Sequence, residues 1–248
     1  VRRLRSTQRL AVVVLSTATF AALAVVPASA NLPDPVTFGD SNDVPIAGDW
    51  NSNGGDEIGV YRPSNHTFYL RRDNGTVIAT AVGTLGDVPF TGNWGGDIGD
   101  EIGIYRSSTS MFYFFSDSGG LGSILFGNPG DVPLSGDWNN ADGDEIGVYR
   151  PSNRTFYLRD DNGNVTPITF GDPGDVPITG DWNGTDGDEI GVYRPSNRTF
   201  YLRDDNGNVT SFTYGDPGDV PLIGDWNDIA ADQIGVYRPG NRTFYPKN

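Results

Sequence analysis

The stretch GDWNGTDGDEIGVYRPSNRTFYLRDDNGNVT, Gly180–Thr210, stands almost unchanged 44 residues earlier at Gly136–Thr166. A fixed period of this length outranks any local motif, because each repeat is a unit whose apolar face only its neighbours can cover. The period runs outward in both directions. All five tryptophans, Trp50, Trp94, Trp138, Trp182 and Trp226, are spaced by 44. Tyr61, Tyr105, Tyr149, Tyr193 and Tyr237 keep the same spacing, as do the Phe-Tyr pairs beginning at Phe68, Phe112, Phe156, Phe200 and Phe244. Units three and four differ at only 7 of 44 positions.

Each unit reads as four short strands. DVPITGDW (175–182), EIGVYR (189–194), TFYLR (199–203) and, from unit three, NVTPITF (164–170) are rich in Val, Ile, Thr and aromatic residues. Turn residues separate them: RPSN between the second and third, and an Asn-Gly pair between the third and fourth. Four strands at this period predict a blade of a β-propeller. The fifth unit stops at NRTFYPKN (241–248) and lacks its fourth strand, while NLPDPVTFG (31–39) aligns with NVTPITFG (164–171). The expected fold is therefore all-β: one five-bladed propeller over residues 31–248, with repeats starting near 38, 82, 126, 170 and 214. The N-terminal strand completes the last blade, which removes sheet edges open to other chains. One tryptophan per blade is a packing anchor or a ligand-stacking platform; the repeat alone allows both.

Residues 1–30 read as a secretory leader: Arg2, Arg3, Arg5 and Arg9, an apolar run, then PASA with cleavage after Ala30. The chain carries a formal net charge of −15, and the leader contains no acid, so the remainder is more acidic still. Such a balance excludes nucleic acid, whose phosphates need Lys and Arg, and anionic membrane surfaces. It fits a soluble secreted monomer. There is no cysteine and one histidine, His66, which stands where other units have Arg154, Arg198 and Arg242. Nucleophile–base triads are thereby almost excluded. The acids recur in every unit, whereas an active site is one asymmetric constellation, so the chain is read as non-catalytic. Asn65, Asn153, Asn197 and Asn241 open Asn-x-Thr triplets beside one repeated turn, and turn geometry explains them without glycans.

Between the first and second strands lies an acidic loop, DWNSNGGDEI in unit one. Oxygen-cage calcium loops place ligands at alternate positions and a carboxylate further on. Asp49, Asn51 and Asn53 fill positions one, three and five, Gly55 offers a carbonyl at seven, and Glu57 falls at nine. Units three and four offer Asp137, Asn139, Asp142 and Glu145, and Asp181, Asn183, Asp186 and Glu189. Position five decays through Asn53, Asp97, Ala141, Thr185 and Ile229, and position nine becomes Gln233 in unit five. The alternative is a set of tight turns in which the acids cap backbone amides, or pair with Arg62, Arg150 or Arg194.

This Asp-x-Asn-x-Asn-Gly spacing, the FG before most units and the GVYRPS after the loop resemble the FG-GAP/VCBS-type repeats of integrin-like propellers. The resemblance implies calcium in inter-strand loops and a role in adhesion or ligand binding. The expected function is multivalent recognition of a carbohydrate or cell-surface ligand. Trp50, Tyr61, Arg62, Trp138, Tyr149, Arg150, Trp182, Tyr193 and Arg194 are the candidate contacts. A protein-interaction scaffold or an accessory of a secreted hydrolase is the other expectation.

Overall fold

The computed structural model describes residues 34–95, 99–116, 120–141, 143–185, 187–229 and 231–247. The expected leader, residues 1–30, lies outside them. A short strand β1 (Val36–Thr37) comes first. Blade 1 follows as β2 (Val44–Gly48), β3 (Glu57–Arg62), β4 (Thr67–Arg71) and β5 (Val77–Ala81). Blade 2 is β6 (Val88–Gly92), β7 (Glu101–Arg106), β8 (Met111–Phe115) and β9 (Leu121–Leu125). Blade 3 is β10 (Val132–Gly136), β11 (Glu145–Arg150), β12 (Thr155–Arg159) and β13 (Val165–Thr169). Blade 4 is β14 (Val176–Gly180), β15 (Glu189–Arg194), β16 (Thr199–Arg203) and β17 (Val209–Thr213). Blade 5 has β18 (Val220–Gly224), β19 (Gln233–Arg238) and β20 (Thr243–Pro246) from the C-terminal end. Its fourth strand is β1, antiparallel to β20 with Val36 opposite Phe244 and Thr37 opposite Thr243. The expected five blades and the closure between the two ends are both present.

The core lies between blades rather than within them. In β3, Ile58 and Val60 point the same way, because side chains alternate along a strand, and both are fully buried. They pack on Leu222, Trp226, Tyr237 and Phe244 of blade 5. Ile102 and Ile104 of blade 2 meet Trp50, Tyr61, Phe68 and Leu70 of blade 1 in the same way. The other three junctions repeat the arrangement. In every blade the tyrosine of the second strand packs against the phenylalanine of the third, as in Tyr61–Phe68 at 4.7 Å between centroids. Burial of an aliphatic or aromatic side chain contributes about 1.5–3 kcal/mol, so these repeated contacts dominate the stability.

Local chemistry sets the turns. Gly75, Gly163 and Gly207 follow Asn in the hairpin between third and fourth strands and take φ of 81°, 83° and 84°, where a side chain would be strained. The turn between second and third strands holds His66, Arg154, Arg198 and Arg242 at φ of 55–59°. His66 therefore fills a backbone position shared with the arginines. Beside it, Asn65 Nδ2 donates to Tyr69 Oη at 3.0 Å, and Asn153, Asn197 and Asn241 repeat the bond.

Candidate functional site

The acidic loops lie together at one end of the blades. In blade 1, Asp49 Oδ1 accepts the amides of Asn51 (3.3 Å) and Asn53 (3.1 Å), and Oδ2 accepts that of Gly54 (2.9 Å). Gly55 donates its amide to Asn53 Oδ1 at 3.4 Å. Glu57 Oε2 accepts the Trp50 amide at 2.8 Å, while Glu57 Oε1 is buried and meets no donor. A residue outside the motif joins them. Asp73, on the β4–β5 hairpin, accepts Asn51 Nδ2 at 3.1 Å and Asn53 Nδ2 at 2.9 Å. Burial, and next the Asp73 charge, push Glu57 up to about 8. Burial also raises Asp49, against the Gly54 and Asn53 amides that favour its charged form.

The equivalent loops are graded. In blade 3, Asp137 Oδ1 accepts the amides of Asn139 (3.3 Å) and Ala141 (3.2 Å), and Asn139 Nδ2 meets both Glu145 and Asp161. Burial raises Glu145 to about 7, with Asp161 and Asp137 adding to it and the Trp138 amide opposing. In blade 4, Asp181 caps Asn183 and Gly184, and Asn183 meets Glu189. In blade 5, Gln233 takes the glutamate's place and accepts the Trp226 amide at 2.9 Å. Asp142 and Asp186 lie outside the described residues. Among the described residues no three His, Cys, Asp or Glu side chains close into a ready metal cage. Of these loops the one in blade 1 comes nearest to a hard-cation site, because Glu57 Oε1 is an acceptor without a donor near Asp49 and Asp73. The Asn51 and Asn53 side chains present their nitrogens to Asp73, so the oxygens are not gathered as in a calcium cage.

The acids next to these positions have a different task. Asp56 Oδ2 accepts the Asp225 amide at 3.0 Å, and the Asp56 amide donates to the Asp225 carbonyl at 2.9 Å. Asp100 clasps Asp49 in this way, Asp144 clasps Asn93, Asp188 clasps Asp137 and Asp232 clasps Asp181. One carboxylate thus bridges every junction of the ring. Burial raises Asp56 and Asp232 well above the usual carboxylate range, and neighbouring aspartates reinforce it.

The arginines also correct an expectation. Arg62, Arg150 and Arg194 sit at the far end of the second strand, away from the acidic loop. They pair in two-point fashion with Asp43, Asp131 and Asp175 at 2.8–2.9 Å. Each also lies over a tyrosine ring, 4.5 Å away for Arg62 and Tyr69. Tyr61, Tyr149 and Tyr193 are about as buried as side chains become, at 1% exposure. Trp50 is buried, whereas Trp138 and Trp182 are half-buried. Packing occupies the tyrosines, the arginines keep 23–24% of their side chains exposed while paired, and the tryptophans have a route to the surface.

That route is a groove between blades. The blade 1–2 groove, about 250 Å³, is lined by Trp50, Leu70, Arg72, Asp100, Glu101 and Phe115 among others. The blade 3–4 groove, about 230 Å³, is lined by Trp138, Leu158, Asp160, Asp188, Glu189 and Asp204 among others. The first five residues named in each groove occupy the same repeat positions, while Phe115 corresponds to Arg203 and Ser116 to Asp204. In the first groove Arg72 Nε is buried and has no hydrogen-bond partner. Sequence reading missed Arg72 and Asp73, because RDNG and DDNG there already had an explanation as hairpin turns.

Fold and site together define a five-bladed β-propeller with repeated inter-blade grooves. No protein-family model matches the chain, and no curated protein does. Solved structures similar to it include a virginiamycin B lyase from Staphylococcus aureus, 14% identical over 77% of this chain and 66% of that one, with a TM-score of 0.44. A streptogramin B lyase is 10% identical over 86% of this chain and 72% of that one, with a TM-score of 0.46. BBS1N in its complex with ARL6DN is 12% identical over 73% of this chain and 57% of that one, with a TM-score of 0.41.

Proposed function

We propose that the chain is a non-catalytic, multivalent binding module whose inter-blade grooves recognise carbohydrate on an extracellular or cell-surface ligand. The supporting observation is the lining of the blade 1–2 groove. Arg72 Nε is a buried donor without a partner, and it stands among the carboxylates of Asp100 and Glu101 beside Trp50 and Phe115. A sugar presents hydroxyls that both accept and donate, on a ring with an apolar face. Donor, acceptor and aromatic wall in one groove match that chemistry, and a buried donor left unpaired costs about 1–3 kcal/mol until a ligand meets it. Repetition around the ring would raise avidity without new contacts. A secretory leader over residues 1–30 would place the ring where such ligands are found.

Calcium enters this reading as a structural ion. Asp49, Asn51, Asn53, Glu57 and Asp73 would hold it in blade 1, with Asp137, Asn139 and Glu145 and then Asp181, Asn183 and Glu189 as weaker sets. When bound it supplies charge that the crowded carboxylates lack. The Asn amides, which now donate to Asp73, would turn their oxygens inward.

The test is a glycan array probed with the whole chain, followed by titration of the best ligand against Arg72→Ala. Retention of a defined glycan class, weakened about tenfold by loss of a hydrogen bond to a charged group, supports the reading. No glycan retained, with a protein captured from culture supernatant instead, makes the ring a protein scaffold.

A further inference from the structure

The arginines of the ring divide into two kinds. Arg62, Arg106, Arg150, Arg194 and Arg238 each hold a buried aspartate in a salt bridge of 2.8–2.9 Å. Arg72 does not share that plan: its Nε is buried in the blade 1–2 groove and meets no acceptor. The residue is also peculiar to its blade, since the equivalent positions are Ser116, Asp160 and Asp204. The facing wall changes with it. Phe115 of blade 2 stands where blades 3 and 4 carry Arg159 and Arg203. In the blade 3–4 groove, Asp160 from one blade shares the lining with Arg203 from the next. In the blade 1–2 groove the arginine comes from the first blade and an aromatic ring from the second.

Asp49, Asp100 and Glu101 line the same groove, and each already accepts backbone amides. Asp49 takes those of Asn51, Asn53 and Gly54, Asp100 takes that of Asp49 at 2.9 Å, and Glu101 takes that of Trp94 at 2.8 Å. The hairpin that carries Arg72 is fixed too. The Arg72 amide donates to the Thr76 carbonyl at 2.9 Å, and the next residue, Asp73, accepts the side chains of Asn51 and Asn53. A guanidinium held by its backbone but left without an acceptor at Nε is prepared for a ligand. Its Nε–H and the adjacent Nη–H form a planar edge that matches both oxygens of a carboxylate. The acids of the lining add a filter, because they repel anionic groups not seated on that edge. Trp50 and Phe115 supply apolar surface for a ring.

We infer, resting on the glycan reading above, that the blade 1–2 groove takes a sugar unit bearing a single carboxylate, a uronic acid. The carboxylate lies on the Arg72 edge, and the sugar ring lies against Trp50 and Phe115. Ser116, Asp160 and Asp204 offer no such edge, so the acidic unit is bound once per ring.

The experiment is an array of hexose oligosaccharides probed with the whole chain. Each is present in three forms: neutral, with the terminal unit oxidised at C6 to a uronate, and with that unit sulfated at C6. Calorimetry of the best trio follows. The uronate form binds about tenfold or more tighter than the neutral one, the scale of one hydrogen bond to a charged group, with one bound per chain. The sulfated form binds no better than the neutral one. Arg72→Gln abolishes the preference, and Arg72→Lys, which keeps the charge without the planar fork, does not restore it. Asp160→Arg, Arg203→Phe and Asp204→Ser together build the same lining in the blade 3–4 groove and raise the stoichiometry to two. That gain keeps the proposal open to refutation should a variant at Arg72 not fold, and a stoichiometry still at one counts against it. Equal binding of the uronate and neutral forms overturns the inference and leaves the glycan reading standing. Equal binding of the uronate and sulfated forms overturns it too, since the groove then reads charge and not a carboxylate. Retention of no form overturns both readings.

Discussion

At the scale of the residue, Glu57 separates a structural role from an ionic one. Its Oε2 takes the Trp50 amide, and Gln233 does that same task in blade 5 without a charge. The charge is therefore surplus to the backbone bond, and burial beside Asp73 makes it costly, with a pKa of about 8. A pKa raised in the folded state favours the protonated form. The stability it brings is full below the ordinary carboxyl value of 4.5 and is lost as pH rises through 8. Glu145, at about 7, acts in the same direction. In chelator, the melting temperature should fall as pH is raised across that window, by about 2–4 °C for each kcal/mol lost. Glu57→Gln should remove the upper part of the fall, and calcium should oppose it in the wild-type chain by mass action. A melting temperature level across the window, with and without calcium, would count against both the repulsion and the metal.

At the scale of the element, the two ends of the second strand do different work. One end carries the acidic loop and the junction clasp, and the other carries the arginine pair. Asp131 is 2% exposed at its side chain, and Arg150 meets both of its oxygens. Taking away one partner of a buried pair leaves a charge uncompensated and costs about 3–5 kcal/mol, less here because Arg150 itself is 24% exposed. Arg150→Ala should lower the urea midpoint in proportion while leaving glycan affinity of the folded chain unaltered. Lost affinity at full stability would return Arg150 to the list of ligand contacts.

At the scale of the molecule, five junctions share one plan but not one strength. Hydroxyls on the first strands bond the carbonyl of the preceding blade from Thr91 to Ala47, Ser135 to Thr91 and Thr179 to Ser135. Ala47 and Ile223 carry no hydroxyl, so both junctions of blade 5 lack this bond. Blade 5 is also the one held shut by the two residues of β1. Val36 and Phe38 pack into its core. A chain starting at Gly39 loses both, each worth about 1.5–3 kcal/mol, and should melt roughly 10 °C lower. It should also associate through the open β20 edge, seen as a rise in light scattering. A monomer of unchanged melting temperature would show that closure by β1 contributes little.

How much was legible follows from what the repeat encodes. A 44-residue period with complementary ends specified blade number, strand order and closure, because a four-stranded unit with one apolar face has few ways to be covered. The acidic loop was also legible, since a one-three-five spacing needs no distant partner. Asp73 was not, because a hairpin some twenty residues away brings it to Asn51 and Asn53, and Asp-Asn-Gly already had a local explanation. Nor was the task of Asp56, which looked like one more acid of the loop and turned out to bridge to Asp225 across the closing junction. Thus the sequence by itself determined the ring, through period and alternation, which are properties of the chain read in order. Only the tertiary structure decided which carboxylates face a groove, which clasp a neighbour and which oppose one another. Those are distances between blades, and each blade has its own edge turned toward a different part of the chain.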